Sequence, residues 1–323
     1  MNTRALDSFA ALRGRGTDWS LGAAFALMVT LLVLAPLVVY PVFLMKALCF
    51  ALFACAFNLL IGYVGLLSFG HALFFGWASY VTAYAAKVWA LPPELSVAVG
   101  TAIAALLGAI AGGLAIRRQG IYFSMITLAL AQMMYFFALQ AKFTGGEDGI
   151  QGVPRGRLLG IFDLSGETAM YVFILVSMLA GFLLIYRIIN SPFGEVLKAI
   201  RENEQRAISL GYKTERYKLM AFVLSATLAG LAGSLKALVF QLASLTDVHW
   251  TMSGDVILMT LLGGLGTVFG PVVGAFVVVA MQNYLASFGQ WVLVIQGAIF
   301  VVCVLLFRRG IVGELARVLR VPL

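Results

Sequence analysis

The sequence predicts an all-α polytopic membrane protein with about ten membrane segments, some of them broken or re-entrant. Three observations carry that expectation. Of the 323 residues, 62% are apolar and 11% charged, against about 45–50% and about 25% in a soluble domain. The apolar residues fall into runs of about 20, the length that crosses a hydrocarbon core of about 30 Å. The basic residues gather in alternate connections between those runs, as positive-inside topology requires. A secreted enzyme, a nucleic-acid binder and a disordered scaffold do not fit this composition. The net charge of +8 then reflects orientation in the membrane, with no nucleic acid as partner.

Apolar runs lie at 21–40, 42–61, 72–90, 95–116, 120–141, 168–189, 219–240, 254–285 and 289–307. The first follows Arg4, Arg13 and Arg15. It is too long for a signal-peptide core of about 7–15 residues, so it is expected to stay as an uncleaved span. The run 254–285 is too long for one straight span. It contains Gly263-Gly264-Leu265-Gly266 and Gly270-Pro271, which interrupt helices. It therefore divides into a half-helix, 254–264, and a span, 268–286. Charge parity requires the same division. With the N-terminus inside, the inside segments are 1–20, 117–119, 187–218 and 308–323, and they hold sixteen of the 22 Lys and Arg. Without the division the basic tail 308–323 would fall outside. The expected organisation is a cytoplasmic segment 1–20, a transmembrane domain 21–307 that includes a cytoplasmic segment 187–218, and a cytoplasmic basic tail 308–323.

A second break is Gly62-Tyr63-Val64-Gly65-Leu66-Leu67-Ser68-Phe69-Gly70-His71. It has three glycines and no Lys, Arg, Asp or Glu, unlike an ordinary cytoplasmic loop. It either dips into the membrane or makes a tight apolar turn. Non-helical backbone at membrane depth is tolerated only where protein buries it or it lines a cavity.

The sequence lacks GxxxxGK[ST], HExxH and GxSxG, so no phosphate cradle, zincin site or nucleophile elbow is expected. Cys49, Cys55 and Cys303 lie in apolar runs without a CxxC, and His71 and His249 are far apart. Neither a disulfide framework nor a metal site follows. The acidic residues avoid the middles of the spans, with Asp255 at the outer start of the half-helix. A proton-coupled carrier would keep carboxylates there as relays. Sodium can be held by unwound backbone carbonyls, so a sodium-coupled carrier is disfavoured rather than excluded. Energy is expected from a partner. Polar residues within spans, among them Asn58, Thr127, Ser225, Gln282 and Asn283, read as interhelical hydrogen-bonding groups. The small-residue run 225–234 reads as a close-packing surface.

The inside segment 191–218 is the most informative. Ser191-Pro192 reads as N-cap and first helical residue. Glu195 suits the positive end of the helix dipole. Asn203 caps a second short helix, 204–210, which Gly211 ends. Ala207, Ile208 and Leu210 give that helix an apolar side beside Glu204, Gln205 and Arg206. Such a helix rests on lipid headgroups or docks into a partner's groove. The outer stretch 142–167 is glycine-rich and charged, either a solvated loop or a docking surface.

The stretches 62–75, 120–132, 144–154, 201–212 and 259–274 carry a resemblance. With them the chain resembles the inner-membrane permease subunit of branched-chain amino-acid (leucine/isoleucine/valine) ABC transporters, over roughly residues 40–290. The resemblance implies an ABC importer permease fold in the bacterial inner membrane, with both termini cytoplasmic. It implies a second homologous permease, two ATP-binding subunits and a periplasmic solute-binding protein as partners, beside membrane lipid. ATP and magnesium would bind in the partner ATPase and no cofactor in this chain, which makes it a transport subunit and not an enzyme. The short helix, with Glu204, Arg206, Ala207, Ile208, Leu210 and Gly211, would be the coupling helix to the ATPase. Gly62, Tyr63, Gly65, Ser68 and His71 in one break, and Gly263, Gly264 and Gly266 in the other, would shape the translocation path or gate. The expected function is ATP-driven import of branched-chain amino acids. The alternatives are a urea or short-amide permease of the same family, or a sodium-coupled secondary carrier.

Overall fold

The structure, a computed structural model, describes residues 22–160, 162–285, 289, 291–306 and 310–319. Every expected run contains a helix. They are α1 (Gly22–Leu37), α2 (Pro41–Ile61), α3 (His71–Lys87), α4 (Pro93–Ala115), α5 (Ile121–Gln140) and α6 (Glu167–Ile189), then α9 (Thr214–Phe240), α10 (Trp250–Gly263), α11 (Gly270–Leu285) and α12 (Val292–Leu306). Five of them are long and apolar enough to cross a membrane by themselves. Between α6 and α9 lie two short helices, α7 (Pro192–Glu202) and α8 (Glu204–Ser209), and α13 (Gly310–Leu319) follows α12. The protein is an all-α multi-pass membrane protein.

Local chemistry sets most of the helix ends. Pro41, Pro93 and Pro192 stand in the first turns of α2, α4 and α7, where a missing N–H costs nothing. Acids open α4 and α6 (Glu94, Glu167), and bases close α3 and α6 (Lys87, Arg187), each matching the helix dipole. Ser191 Oγ caps α7 by accepting from Gly194 N at 3.4 Å.

α2 is the central post. Its residues 44–60 are buried except Lys46, it packs on α6, α9, α10 and α11, and its Phe50, Phe53 and Phe57 rings meet Phe75 and His71 of α3. The small-residue run of α9 lets it approach α3 and α4 closely. A methyl group on Gly230 would overlap Ala104, and one on Gly233 would overlap the Phe75 carbonyl. The outer faces carry exposed Leu27 and Leu31 of α1, Leu106 and Ile110 of α4, and Phe136 and Phe137 of α5. Lipid is the medium in which such faces are stable.

The connections collect at two ends. At one end β1 (Ile150–Gln151) pairs antiparallel with β4 (Leu242–Ala243), and β2 (Arg157–Leu158) with β3 (Phe162–Asp163). Lys87 Nζ donates to Gln151 O at 2.6 Å, and Leu159 N to Glu94 Oε1 at 3.1 Å. The Ser165 hydroxyl and N–H both donate to Asp163, holding its carboxyl below the usual range. The other end gathers 62–70, 116–120, 190–213 and 264–269. It is rich in base: Arg117, Arg118, Arg187, Lys198, Arg201, Arg206, Lys213, Arg216 and Lys218. We refer to it as the basic end.

Several expectations need correction. α10 begins at Trp250, not 254, so Asp255 lies in its second turn and accepts from Gln282 Nε2 at 3.2 Å. α9 begins at Thr214 and reaches about 40 Å at 1.5 Å per residue. Lys236, one of the six bases outside the inside segments, is buried near the end of α9 and pairs with Asp247 at 2.6 Å. The tail 308–323 is not only a basic surface segment, because α13 packs on α10 and α11 and buries Val312. The segment 1–20 and residues 308–309 and 320–323 lie outside the described residues.

Candidate functional site

The first break starts where α2 stops. Gly62 N donates to Asn58 O at 2.7 Å, and Val64 N and Leu66 N then both turn back to Leu60 O. The next residues are held by the first turns of α5. Ser124 Oγ donates to Leu67 O at 2.6 Å, and Phe69 N donates to Thr127 Oγ1 at 3.2 Å. The segment is thus a packed, mostly buried turn at the basic end. The second break joins α10 to α11. Gly264 has φ +127°, a conformation open to glycine and strained for other residues. Thr267 Oγ1 donates to Gly264 O at 2.8 Å and accepts from Gly270 N at 3.1 Å, so one side chain seats the start of α11.

The two breaks are clamped together. Asn58, buried one turn before Gly62, donates through Nδ2 to Thr267 O at 2.9 Å and accepts from Gly266 N at 3.0 Å. Both polar atoms of its amide are used. Arg201, in the last turn of α7, donates through Nη1 to Gly62 O. Its guanidinium also lies beside Gly266, 3.2 Å from where a methyl group would stand, and its stem passes over Gly65. One side chain of a basic-end helix therefore touches both breaks.

Asn203 links α7 directly to α8 and caps α8, accepting from Arg206 N at 3.0 Å. Glu204 does not face outward. It accepts from Lys218 Nζ, from Thr214 Oγ1 at 3.1 Å and from Gln119 Nε2 at 3.0 Å. Gly211 has φ +90°, its N–H returns to Ile208 O at 2.9 Å, and Tyr212 N reaches Ala207 O at 3.2 Å. The apolar side expected of this helix is split. Ala207 is 2% exposed and seated on the protein itself, whereas Ile208 and Leu210 are 48% and 71% exposed. Beside Leu210 a groove of about 1010 Å³ runs between α7 and α9, lined by Phe193, Val196, Tyr212, Tyr217 and Met220.

The candidate path residues thus separate. Gly62, Gly65 and Gly266 meet under Arg201, with Tyr63 buried beside them. Gly263 and Gly264 form the α10–α11 joint, where Gly310 of α13 also packs against Gly264. Ser68 Oγ is turned into its own loop, accepting from Gly70 N at 3.2 Å. His71 is a core residue at the start of α3. Its Nε2 lies 2.9 Å from Ser225 Oγ, and Phe57, Phe74 and Phe222 surround it. Asn58, read from sequence as an interhelical hydrogen-bonding group, was not assigned to the breaks, and neither Arg201 nor Gly310 was assigned to the path. A lone amide in the apolar run of α2, one turn before a glycine, was the available signal for the first. Among the described residues no group of three His, Cys, Asp or Glu is placed to hold a metal ion.

Comparison with known proteins adds a family. The family described as branched-chain amino acid transport system, permease component, matches residues 39–304. The high-affinity branched-chain amino acid transport system permease protein LivM of Escherichia coli is 25% identical over 277 residues, 79% of this chain and 65% of its own length. The chain thus spans slightly less than two thirds of that relative. A probable branched-chain amino acid transport permease protein LivH of Methanocaldococcus jannaschii is 26% identical over 259 residues, 73% of this chain and 79% of its own. The ribose import permease protein RbsC of Bacillus subtilis is 28% identical over 196 residues, 56% of this chain and 58% of its own. No solved structure matches the chain at a significant level.

Proposed function

The chain belongs to the branched-chain amino acid transport permease family, and on that premise we propose that it forms half of the translocation path of an ATP-driven importer for branched-chain amino acids. A second homologous permease supplies the other half. Two ATPase subunits bind ATP and magnesium at the basic end, which faces the cytoplasm of a bacterial inner membrane together with both termini. A periplasmic solute-binding protein delivers substrate to the opposite end, where the loops 141–166 and 241–249 gather. This chain carries no cofactor and catalyses no reaction.

The observation that carries this reading is the link from α8 to the breaks. Ile208 of α8 and Leu210 just after it are exposed, and Asn203 joins α8 to α7, whose Arg201 holds Gly62 and borders Gly266. When ATP closes the ATPase pair, a displacement of α8 moves α7, and Arg201 passes that movement to both glycine breaks. Glu204, tied to Lys218 and Gln119, is the inward anchor of α8; Arg206, Ile208 and Leu210 are its outward face. Gly263 and Gly264 let the α10–α11 joint bend. The ribose permease among the relatives indicates that the shared framework does not by itself set the solute.

The test is uptake of radiolabelled leucine, with labelled urea in parallel, in cells lacking only this chain. The reading expects leucine uptake to be lost and then restored by the intact chain. Loss of urea uptake alone would move the substrate. Uptake by this chain in liposomes without any ATPase subunit would overturn the ATP-driven reading in favour of a secondary carrier.

A further inference from the structure

The end opposite the glycine breaks holds a cavity of about 360 Å³, within the range of about 300–1,000 Å³ typical of small-molecule pockets. It is framed by the first turns of α2 and the last turns of α9 and α11. α2 and α11 pack together along their length and meet the breaks at their other ends, through Asn58 and Thr267. Cavity and clamp therefore lie at the two ends of one helix pair. The walls are apolar at Val42, Phe43 and Phe240 and polar at Lys46, Asn283 and Tyr284.

Lys46 is the charged residue among them and the exception in the buried stretch of α2. Its ammonium stands 6.0 Å from the Phe50 ring, and it belongs to none of the ion pairs among the described residues. Lys236 and Asp255 act on it electrostatically. Lys236 is matched by Asp247 at 2.6 Å, and Asp255 accepts from Gln282 at 3.2 Å. A cation in a membrane segment is costly and marks a candidate functional position, and one with no ion-pair partner among the described residues has room to take an anion as its counterion.

We propose that Lys46 and Asn283 form an outer substrate site in this subunit, receiving the α-carboxylate of an amino acid whose apolar side chain lies against Val42, Phe43 and Phe240. The site rests on the importer reading above and deepens it by naming the groups that meet the substrate. The ammonium supplies charge and the Asn283 amide a directional donor. The carboxylate gives the lysine the ion-pair partner that no described residue supplies. A phospholipid phosphate offers the same anionic chemistry, so the test separates the two sources.

The transporter purified through this chain with its partners is reconstituted in proteoliposomes, and ATP-driven leucine uptake is measured at saturating solute-binding protein. Lys46→Met is expected to lower uptake about tenfold to a hundredfold, as for loss of a charge-assisted hydrogen bond. Lys46→Arg is expected to keep most of it. Co-purification of the subunits and basal ATP hydrolysis report that the Met variant still folds and assembles. Retained anionic phospholipid, counted by mass spectrometry, is expected to be equal in both. Unchanged leucine uptake in an assembled Lys46→Met complex overturns the site. Loss of a bound phospholipid with unchanged uptake overturns it too, and assigns the anion to lipid. A wild-type complex that moves no α-amino acid overturns the importer reading, and the site falls with it; in that case the wild type fails, not the variant alone.

Discussion

Asn58 and Arg201 divide the work at the breaks. Asn58 is buried and uses its amide twice, so it is structural. Replacing it with Leu leaves Gly266 N–H and the Thr267 carbonyl unpaired, at about 1–3 kcal/mol for each buried group. The expected outcome is a lower melting temperature of the purified complex. Arg201 is an exposed residue that gives a single hydrogen bond, to Gly62 O, so its loss should spare the fold. We expect Arg201→Gln to leave subunit assembly and basal ATP hydrolysis near wild type while the leucine moved per ATP falls several-fold. Equal losses in hydrolysis and uptake would instead make Arg201 an ordinary structural residue. Gly264→Val forces a branched side chain onto φ +127°, at about 1–3 kcal/mol of strain. Uptake is expected to fall while the complex still assembles, as read by co-purification.

At the scale of elements, α8 shows why burial decides which substitution tests coupling. A charged residue at Ala207 would be forced into the protein's own interior, so Ala207→Arg is expected to unseat α8 and lower stability. Leu210→Glu alters an exposed position and is expected to keep the chain folded while reducing the ATPase subunit that co-purifies with it. Unchanged co-purification would place the ATPase contact elsewhere. The Glu204–Lys218 pair, with its lysine buried and its glutamate partly exposed, holds α8 to α9, and losing Glu204 leaves the Lys218 ammonium buried without a counterion, which is destabilising. In the β2–β3 hairpin, the depressed Asp163 carboxyl sets the sign of a pH effect. Its bonds to Ser165 are fully present above the ordinary carboxylate range and are lost as pH falls through the lowered value. Protection of Ser165 N–H, its exchange relative to an unstructured peptide at the same pH, should therefore fall only in acid, and Asp163→Asn should remove that acid-specific loss.

The whole molecule is organised by its two ends. Among the described residues, the connections expected inside gather at one end and those expected outside at the other, which follows from helices that alternate in direction through an apolar layer. Single cysteines at Arg206 and Glu147, in a chain whose Cys49, Cys55 and Cys303 are replaced, are expected to react with impermeant reagents from the cytoplasmic and periplasmic sides respectively. Reaction of both from one side would overturn the topology. The lipid-facing helices carry little polar chemistry. Specific contacts concentrate where helices stop, because only there does the backbone have groups left to pair.

The apolar runs that become helices, the division of 254–285, the capping of α7 and α8 and the family resemblance were all legible in the sequence. Each depends on composition, charge or signals within a few residues: apolar runs, Ser191 and Asn203 at helix starts, glycines at breaks. The tertiary structure decided which glycines meet. Asn58 and Gly266 are 208 residues apart, and no local signal pairs them. It also turned Glu204 and Ala207 inward and Leu210 outward, because a six-residue helix is oriented by what it packs on rather than by its own periodicity. His71 went to the core for the same reason. Three phenylalanine rings and Ser225 gather around it only after α2, α3 and α9 have packed, and among the described residues that packing gives Lys46 no ion-pair partner.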